Sequence, residues 1–435
     1  MLPSHSIAEQ LAERAAAGQP VTVALAGAGQ MGTDIVCQIM QMKGLRLGAV
    51  ADLSIQYARA ALRIAGIDDE QSAVAKNGDE ANAIIESGRI ALVEDARILP
   101  SIGLVDALID ATGHPSFGAE LTLESFRCGK HMVMMNVECD VTIGRHLAAE
   151  AARAGVVYTG AAGDEPACTI ELIRFARDLG MTVVAAGKGK NNPLNPDAVP
   201  ADYEEEARRR EMNPRMLVEF VDGSKTMIEM VAIANATGLT IDVPGMHGPA
   251  ATLDELASTL CHKDDGGVLT QKGVVDYSIG KGVAPGVFCI VEMGHARLTE
   301  RMIDLKVGKG PCFTLHRPFH LTSMEVPLSA VRAVLFNRPD MCPLDHPVAD
   351  VATMAKRDLV AGERLGKIGE AEYRGWALTA ADGRKQQAIP LGLAENATVT
   401  APVKKGELLT YANCRPDDTL AITRIRQEMD RTDAD

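Results

Sequence analysis

Residues 21–42, VTVALAGAGQMGTDIVCQIMQM, constrain the fold of this chain more than any other segment. An apolar run typical of a buried strand leads into three glycines, after which apolar residues recur at helical spacing. This order predicts a dinucleotide-binding turn. Gly27 permits the tight turn, Gly29 lets the backbone approach a pyrophosphate, and Gly32 lets the helix pack closely on the strand. Asp52 ends a second apolar run twenty residues after Gly32, where an acid can bond ribose hydroxyls. The alternative interpretation is a purely structural glycine turn.

Strand and helix patterns alternate through the first half of the chain. Residues 6–9, SIAE, have the form of a capping box and open an amphipathic helix that stops near Gly18. Further strands are predicted at IALVED, DALIDAT, HMVMMN and VVYTGA, and helical patterns follow most of them. Such alternation predicts an α/β fold with a parallel, doubly wound sheet, whose ligand crevice lies at the carboxyl ends of the strands.

Length and composition narrow the class of protein. The 435 residues exceed what one core usually holds, roughly 250 to 300 residues, and suggest two or three domains. A net charge of −14, no basic block and 3% aromatic residues argue against nucleic-acid or anionic-membrane binding. No apolar run reaches the ~18 residues of a membrane span, and the N-terminus lacks a signal peptide's order, so we expect a cytoplasmic protein. Nine cysteines without a CxxC pair indicate reduced thiols rather than disulfides or a zinc site.

Polar residues follow several of the predicted strands. Gly113 and His114 follow DALIDAT, Glu138 follows HMVMMN, and Asp164 and Glu165 follow VVYTGA. Because the carboxyl ends of parallel strands meet at one edge of the sheet, we expect these residues near the crevice. The competing interpretation makes His114 and Glu138 polar loop residues beside the cofactor, and makes Asp164 and Glu165 N-terminal caps of the next helix.

The segment GKGKNNPLNP, residues 187–196, is too broken for a helix and follows the apolar run TVVAA. We expect a loop at a strand end, in which glycine amides and the side chains of Lys188, Lys190, Asn191 and Asn192 converge on one anion. Solvated lysines are the alternative interpretation. Four donor side chains in five residues after a buried strand favour a phosphate or carboxylate site.

A second charged group lies in DGSKTMIEMVAIANATGL, which contains Asp222, Lys225 and Glu229. If a helix begins at Ser224, Lys225 and Glu229 share one of its faces. The surrounding residues are mostly apolar, so we expect the charges to be half-buried and paired. A lysine beside a carboxylate in a cleft can donate a proton to a developing alkoxide. Metal binding and an ordinary surface ion pair are the alternatives.

The last third of the chain changes character twice. LHRPFHLTSMEVP, with His316, Arg317, His320 and Glu325, has the dense polar spacing of a loop and a return strand, and makes either an interdomain or subunit contact or a substrate site. SAVRAVLF then predicts a helix that returns to the nucleotide domain. From Ala355 onward, β-branched alternation and Gly-Glu turns predict a separate β domain of roughly ninety residues, a size that can fold alone.

Several motifs together make the chain resemble a known family. GAGQMG, DATGHP, GDEP, GKGKNNP, DGSKTMIEM and HRPFHL, followed by a β domain, are similar to the homoserine-dehydrogenase-like oxidoreductases with a C-terminal SAF domain. Within them, the chain resembles the 1-deoxy-D-xylulose 5-phosphate reductoisomerase-like enzymes, over essentially its whole length. The predicted domains are then a Rossmann domain at 1–162 with a returning helix near 325–340, a central α+β catalytic and dimerisation domain at 163–324, and a β-rich SAF domain at 345–435.

The resemblance implies a specific reaction. It is the NADPH-dependent conversion of 1-deoxy-D-xylulose 5-phosphate to 2-C-methyl-D-erythritol 4-phosphate in isoprenoid biosynthesis (the MEP pathway), by a homodimer with a divalent cation, Mg²⁺ or Mn²⁺. Such a cation would hold adjacent oxygens during the rearrangement. Spacing alone does not decide which carboxylates bind it, and Asp164 and Glu165 are the candidates. Asp52 is instead typical of NAD enzymes, because a carboxylate there repels a 2′-phosphate. NADPH would require Asp52 to turn aside, with Arg59 as the nearest cation.

These considerations give a set of candidate site residues. The predicted catalytic residues are Lys188, Asp222, Lys225 and Glu229. The predicted substrate-binding residues are Lys190, Asn191, Asn192, His316 and Arg317. The predicted cofactor-binding residues are Gly27, Gly29, Gln30, Met31, Gly32, Asp52, Arg59, Thr112, Gly113, His114, Asn136 and Glu138. Two other functions stay open: a reductase of the same architecture acting on another sugar phosphate or an amino-acid semialdehyde, and a non-catalytic sensor of nucleotide and carbohydrate.

Overall fold

The computed structural model describes residues 6–210 and 212–433. The strands are β1 (Val21–Ala26), β2 (Leu45–Ala51), β3 (Ser72–Val74), β4 (Ile90–Val93), β5 (Ala107–Asp110), β6 (His131–Met134), β7 (Tyr158–Gly160), β8 (Thr182–Gly189), β9 (Val274–Ser278), β10 (Val287–Glu292), β11 (Cys312–Arg317), β12 (Ala349–Ala355), β13 (Tyr373–Thr379), β14 (Thr398–Val399) and β15 (Cys414–Arg415). The α-helices are α1 (Ile7–Ala16), α2 (Gln30–Gln41), α3 (Ile55–Ile64), α4 (Gly78–Glu86), α5 (Pro115–Arg127), α6 (Val137–Ala154), α7 (Glu165–Asp178), α8 (Glu204–Arg209), α9 (Pro214–Val221), α10 (Ser224–Thr237), α11 (Leu256–Thr259), α12 (Ala296–Asp304), α13 (Val326–Phe336), α14 (Ala380–Lys385) and α15 (Ala421–Thr432). Short 3-10 helices span Asp69–Gln71, Ala96–Ser101, Pro200–Tyr203, Lys263–Asp265, Thr322–Met324 and Leu391–Leu393.

The chain divides into two compact units. The first consists of Met1–Asp140, Gly144–Asp164 and Leu321–Cys342, and the second of Val141–Ile143, Glu165–His320 and Pro343–Asp435. The sequence predicted three domains, whereas residues 343–435 group with the middle segment in the second unit.

The first unit contains a seven-stranded parallel sheet in the order β3-β4-β2-β1-β5-β6-β7. Its core is built on the continuous apolar runs of the central strands, with Val23, Leu25, Ile109 and Val133 fully buried. Strands buried on both faces read as unbroken apolar runs, which is why the sequence predicted them. The α/β fold class and the parallel sheet are confirmed, and the capping box of Ser6 and Glu9 forms at the start of α1.

Helix α13 belongs to the first unit although it follows the middle segment in sequence. Val326, Ala330 and Val331 on this helix are buried in the same core as β1, β5 and β6. After the helix the chain pairs with the edge of the sheet, where the amide of Gly160 donates to the carbonyl of Met341 at 2.8 Å.

The second unit contains a four-stranded sheet in the order β11-β10-β8-β9. β10 pairs antiparallel with β8 and with β11, and β9 runs parallel to β8. Helix α7 packs on β8 and β10, and α10 packs on β9 and on α7. β8, which carries Lys188 and ends one residue before Lys190, therefore lies in the interior of the sheet.

The prediction of a loop over residues 187–196 is wrong for residues 187–189, because β8 continues through Gly189, whereas residues 190–196 form no helix or strand. The glycines of this segment serve close packing of the backbone rather than loop flexibility. A Cβ on Gly187 would lie 1.7 Å from the carbonyl oxygen of Asp276, and one on Gly189 would lie 2.1 Å from the amide nitrogen of Ala284. Real Cβ atoms do not approach backbone atoms so closely, so only glycine fits either position.

Residues 343–435 form two antiparallel strand pairs, β12-β13 and β14-β15, and the helices α14 and α15. The β-rich character is as predicted, but the twelve-residue helix α15 was not expected. Helix α10 packs against both β12 and β13. Sequence patterning cannot detect such packing, because it reports the face of an element and not the partner of that face.

Two further features bear on the class of protein. Within residues 6–210 and 212–433, no helix combines the length and apolar character needed to cross a membrane. All nine cysteines lie within the described residues, none of them forms a disulfide there, and most of them are buried.

Candidate functional site

The glycine turn between β1 and α2 has the geometry of a dinucleotide-binding turn. Gly27 has a φ of 96°, and a Cβ there would lie 2.7 Å from the carbonyl oxygen of Ala111. A Cβ on Gly32 would lie 2.0 Å from the carbonyl oxygen of Gly27. Gly29 instead faces open space and is the N-cap of α2, without a side-chain cap. The amides at the start of α2, including those of Gln30 and Met31, are thus available to an anion.

Asp52 follows β2, and its carboxylate contacts the backbone of the glycine turn. One carboxylate oxygen accepts a hydrogen bond from the amide of Ala28 at 2.9 Å, and the other accepts one from the amide of Ser54 at 3.0 Å. Arg59 does not lie beside it as a phosphate-binding cation. Its guanidinium donates to the hydroxyl of Ser72 at 3.3 Å and lies 4.0 Å from Asp69. NADPH binding was predicted to require Asp52 to turn aside with Arg59 nearby, and the structure does not show these side-chain positions.

The other predicted cofactor residues lie after β5 and β6. The amide and hydroxyl of Thr112 donate to one oxygen of Asp110 at 2.9 and 2.7 Å, and Gly113 adopts a φ of 66° before α5. His114 is the exposed N-cap residue of α5. Asn136 caps α6 by accepting from the amide of Cys139 at 3.2 Å, and Glu138 lies in the first turn of that helix. Because β1, β2, β5 and β6 are parallel, all these positions lie at one edge of the sheet, where the sequence predicted the crevice.

In the second unit, Lys188 lies at the centre of a buried charge cluster. Its ammonium group donates to Glu165 at 2.8 Å and also to Glu229, and the lysine side chain is 7% exposed. Burial alone would lower the pKa of Lys188, but the two carboxylates raise it above its ordinary value. Burial and the neighbouring Glu165 raise the pKa of Glu229, against the opposing effect of Lys188. Lys188 is thus a fixed cation whose charge is offset by two acids.

Lys190 lies two residues farther along and has different surroundings. It is buried, and its ammonium group donates to the backbone carbonyl of Phe220 rather than to a carboxylate. Burial and the nearby charge of Lys188 lower the pKa of Lys190 to about 8, although Glu229 and Asp222 oppose the shift. Asn191 is exposed and Asn192 half-buried. The four predicted donors therefore differ in their surroundings, and the ammonium group of Lys188 already donates to Glu165 and Glu229.

Helix α10 begins at Ser224, so Lys225 and Glu229 lie on one face as predicted. Lys225 acts electrostatically on Glu229 and, like Lys188, opposes the rise in its pKa that burial and Glu165 cause. Asp222 lies just before the helix and is fully buried. One of its oxygens accepts from the ammonium of Lys356 at 3.1 Å and the other from the amide of Ser224 at 2.8 Å. These contacts point to a structural role for Asp222, and its predicted catalytic role stays a prediction.

Of the polar residues in and just after β11, only some lie near the charge cluster around Lys188. The imidazole of His316 lies 3.2 Å from the carbonyl oxygen of Val283. Arg317 donates to the thiol of Cys168 at 2.7 Å and to Glu171 at 3.0 Å, and its guanidinium lies 5.1 Å from the ring centre of Phe319. The residue that reaches the charge cluster is His320, whose ring nitrogen lies 3.5 Å from Glu165. Sequence reasoning noted His320 but did not select it, because nothing in the sequence links it to Glu165.

A divalent cation at this site would need the carboxylates that Lys188 already contacts. Oxygen atoms of Glu165 and Glu229 lie within 4.8 Å of each other, and Lys188 contacts both. A cation would have to displace the ammonium group, since like charges repel strongly at such distances. Glu165 and Glu229 therefore do not fit a resident divalent cation while Lys188 lies between them. Asp164, the other predicted ligand, precedes Glu165 and belongs to the first unit.

Comparison with known proteins yields one family match and a set of similar folds. Residues 163–326 match the family described as oxidoreductase DRL, catalytic domain. Curated protein sequences gave no match. The structure is similar to a probable dehydrogenase from Thermotoga maritima, with a TM-score of 0.43, 14% identity, and coverage of 73% of this chain and 90% of that one. It is also similar to scyllo-inositol dehydrogenase from Lactobacillus casei with bound NAD(H) and scyllo-inositol, with a TM-score of 0.37, 14% identity, and coverage of 68% and 76%. The matched segment, which includes Lys188, Lys190, Lys225 and Glu229, is thus similar to an oxidoreductase catalytic domain.

Proposed function

We propose that this chain is an NAD(P)-dependent oxidoreductase that transfers a hydride between a nicotinamide and the carbonyl carbon of a small anionic substrate. The observation that carries the proposal is the turn after β1, where Gly27 and Gly32 admit no Cβ and Gly29 leaves the start of α2 open. Backbone amides at a helix N-terminus suit a pyrophosphate. The match of residues 163–326 to an oxidoreductase catalytic domain supports the same class of reaction.

The surroundings of Asp52 favour NAD(H) as the cofactor over the NADPH that the family resemblance implied. Both carboxylate oxygens accept backbone hydrogen bonds, which fix the group at the end of β2. A carboxylate in this place accepts from ribose hydroxyls and repels a 2′-phosphate. The cation that could offset the repulsion, Arg59, is turned toward Ser72 and Asp69.

Lys188 and Lys190 suit different parts of carbonyl reduction. When a hydride reaches the carbonyl carbon, the oxygen becomes an alkoxide that needs a proton. A general acid works best when its pKa lies near the working pH. Lys190, with a pKa of about 8, meets that condition, whereas the carboxylates raise the pKa of Lys188. We therefore assign proton donation to Lys190, and to Lys188 the positioning of Glu165 and Glu229.

The test is a turnover assay with purified protein. NADH and NADPH are each offered with a panel of small phosphorylated and carboxylated aldehydes and ketones, and loss of reduced nicotinamide absorbance is followed. We expect NADH-dependent turnover in the wild type and loss of at least about a hundredfold in Lys190→Met, within the range of general-acid effects. Lys272→Met is the matched control, because Lys272 pairs with Glu292 at the surface, at 2.7 Å. Absence of both cofactor binding and turnover would overturn the proposal.

A second candidate is the reductoisomerase reaction on 1-deoxy-D-xylulose 5-phosphate. It is favoured by the family match, whose description names the DRL oxidoreductases, and by two buried lysines that suit a phosphate-bearing substrate. Product analysis separates it from simple carbonyl reduction, because only the isomerising reaction yields a branched carbon skeleton. Treatment with EDTA gives a second criterion. Simple reduction by the nicotinamide, with Lys190 as the proton donor, is expected to continue after EDTA treatment. The metal-assisted rearrangement is expected to stop until Mg²⁺ or Mn²⁺ is restored.

A further inference from the structure

Helix α10, which carries Lys225 and Glu229, is held at its start by residues of the C-terminal segment 343–435. Asp222, just before the helix, is fully buried and accepts from the ammonium of Lys356 at 3.1 Å. The same ammonium donates to the carbonyl of Ala198 at 2.7 Å, and the Lys356 side chain is 1% exposed. Ala198 lies in the stretch that follows Lys190 along the chain. One buried lysine thus connects the stretch after β8 to the start of α10.

Strand β13 lies against the first turn of the same helix. The amide of Gly375 donates to the hydroxyl of Ser224 at 2.9 Å. A Cβ on Gly375 would lie 3.3 Å from the Cα of Ser224, so the strand and the helix touch through their backbones. Glycine within a strand often marks such a close approach of another backbone.

The far end of α10 is held by the same segment. The side-chain oxygen of Asn235 accepts from the amides of Val348 at 3.1 Å and Ala349 at 3.0 Å, just where β12 begins. In addition, the amide of Leu344 donates to the backbone carbonyl of Asn235 at 2.8 Å. Both ends of α10 are therefore fixed by residues 343–435, and the helix packs along β12 and β13 between them.

We propose that Lys356 and Asp222 are positioning residues for the reaction, through which the C-terminal segment sets the place of Glu229 and hence of its partner Lys188. The inference rests on the proposed function. The buried charge pair and the backbone contact at Ser224 determine where α10 begins, and Glu229 lies one and a half turns later. Glu229 contacts Lys188, which lies on β8 two residues before the proposed proton donor Lys190, the first residue after that strand.

The experiment compares four full-length proteins: wild type, Lys356→Met, the double variant Asp222→Asn with Lys356→Met, and the control Lys404→Met. Lys404 belongs to the same C-terminal segment but pairs with Asp358 at the surface, at 2.8 Å, with both side chains more than half exposed. The double variant is included because Lys356→Met alone leaves Asp222 as an uncompensated buried charge, which can prevent folding. Replacing both partners removes the charge as well as the contact.

Three quantities are measured on each protein. We expect kcat to fall at least tenfold in Lys356→Met and in the double variant, while the Kd for NADH changes less than twofold. We expect hydrogen exchange of the amides of residues 224–230 to quicken at least tenfold in both. Lys404→Met is expected to match wild type within twofold in all three. A folded double variant with wild-type kcat would overturn the proposal, as would unchanged exchange in α10.

The hydrogen-exchange measurement separates this inference from the function it rests on. If the wild type shows no turnover, the proposed function has failed, and exchange in residues 224–230 still decides whether Lys356 and Asp222 fix α10. If turnover is present and exchange quickens without loss of kcat, α10 is held by the C-terminal segment but the chemistry does not depend on it. That outcome refutes the positioning role alone.

Discussion

At the residue scale, Lys188 and Lys190 show how the surroundings of a side chain change its chemistry. Lys188 and Lys190 are both buried, the first on β8 and the second immediately after its last residue. Lys188 contacts two carboxylates, which raise its pKa, whereas Lys190 donates to a neutral carbonyl, and burial together with the charge of Lys188 lowers its pKa to about 8. The sequence places the lysines together, but their different partners, Glu165, Glu229 and Phe220, are distant along the chain.

The first prediction concerns pH. For carbonyl reduction, kcat/KM is expected to fall as the pH rises through about 8, because the ammonium form of Lys190 donates the proton. The reverse oxidation is expected to rise through the same pH. In Lys190→Met, both of these pH dependences are expected to disappear.

The same ionisation links stability to pH. The pKa of Lys190 in the folded state lies below its ordinary value of 10.5, so between the two values the unfolded chain binds a proton that the folded chain does not. Stability contributed at this site therefore rises with pH from about 8 toward 10.5.

Measurement of kcat/KM from pH 6.5 to about 9.5 in both directions checks this prediction, because kcat/KM reports ionisations of the free enzyme. Lys190→Arg is the matched control, since an arginine keeps the charge but does not give up a proton in this range. Wild-type turnover in Lys190→Arg would show that the charge matters and that another group donates the proton.

The second prediction concerns Asp52. Asp52→Asn is expected to lower NADH affinity about tenfold or more, since a charge-assisted hydrogen bond contributes roughly 1.5 to 3 kcal/mol. The asparagine side chain has a single oxygen, so it can accept from only one of the two backbone N–H groups, those of Ala28 and Ser54, from which the carboxylate accepts. NADPH affinity is expected to change less or to improve, because the repulsion of a 2′-phosphate is removed. Calorimetric titration with both cofactors measures the ratio, with exposed Glu13→Gln as the control. An equal loss of affinity for both would contradict a selective role.

At the element scale, the sequence predicted the strands and helices of the first unit well and misjudged the second at β8. The central strands of the parallel sheet are buried on both faces, so their apolar runs carry the information in the sequence itself. In GKGKNNP, glycine and lysine suggested a loop, but Gly187 and Gly189 occupy a sheet interior where neighbouring backbones leave no room for a Cβ. That requirement comes from Asp276 and Ala284, which sequence patterning cannot place beside β8.

The third prediction tests this account of β8. Gly187→Ala is expected to lower the free energy of unfolding by at least about 2 kcal/mol, because a Cβ would overlap a backbone carbonyl that cannot move aside cheaply. Gly294→Ala is the control. Nothing lies within 4 Å of a Cβ there, and we expect a change of less than about 1 kcal/mol. Urea denaturation of both variants measures the difference. Equal stabilities would mean that β8 does not pair with β9 as described.

At the scale of the whole molecule, the sequence suggested three domains and the structure forms two units. The change in residue pattern near Ala355 is real, since β12 ends there and β13 to β15 follow it, but a change of pattern does not by itself make an independent domain. Independence depends on what each apolar face and buried charge contacts. Lys356 and Gly375 contact Asp222 and Ser224, more than a hundred residues earlier in the chain, and no local signal in the sequence reports those contacts.

The last prediction follows from this division. A chain ending at residue 342 keeps every strand of the seven-stranded sheet together with α13. We expect it to bind NADH within about threefold of the full chain. The second unit loses the partner of the fully buried Asp222 and the strands that cover α10, and breaking a buried pair typically costs about 3 to 5 kcal/mol. We therefore expect hydrogen exchange to quicken throughout residues 182–189 and 224–237, with loss of turnover. Calorimetry and exchange on the truncated and full chains measure both effects, and full-length Lys404→Met controls for surface changes. A truncated chain with wild-type protection of α10 would make residues 343–435 a separate domain after all, and would leave Lys356 without its proposed role.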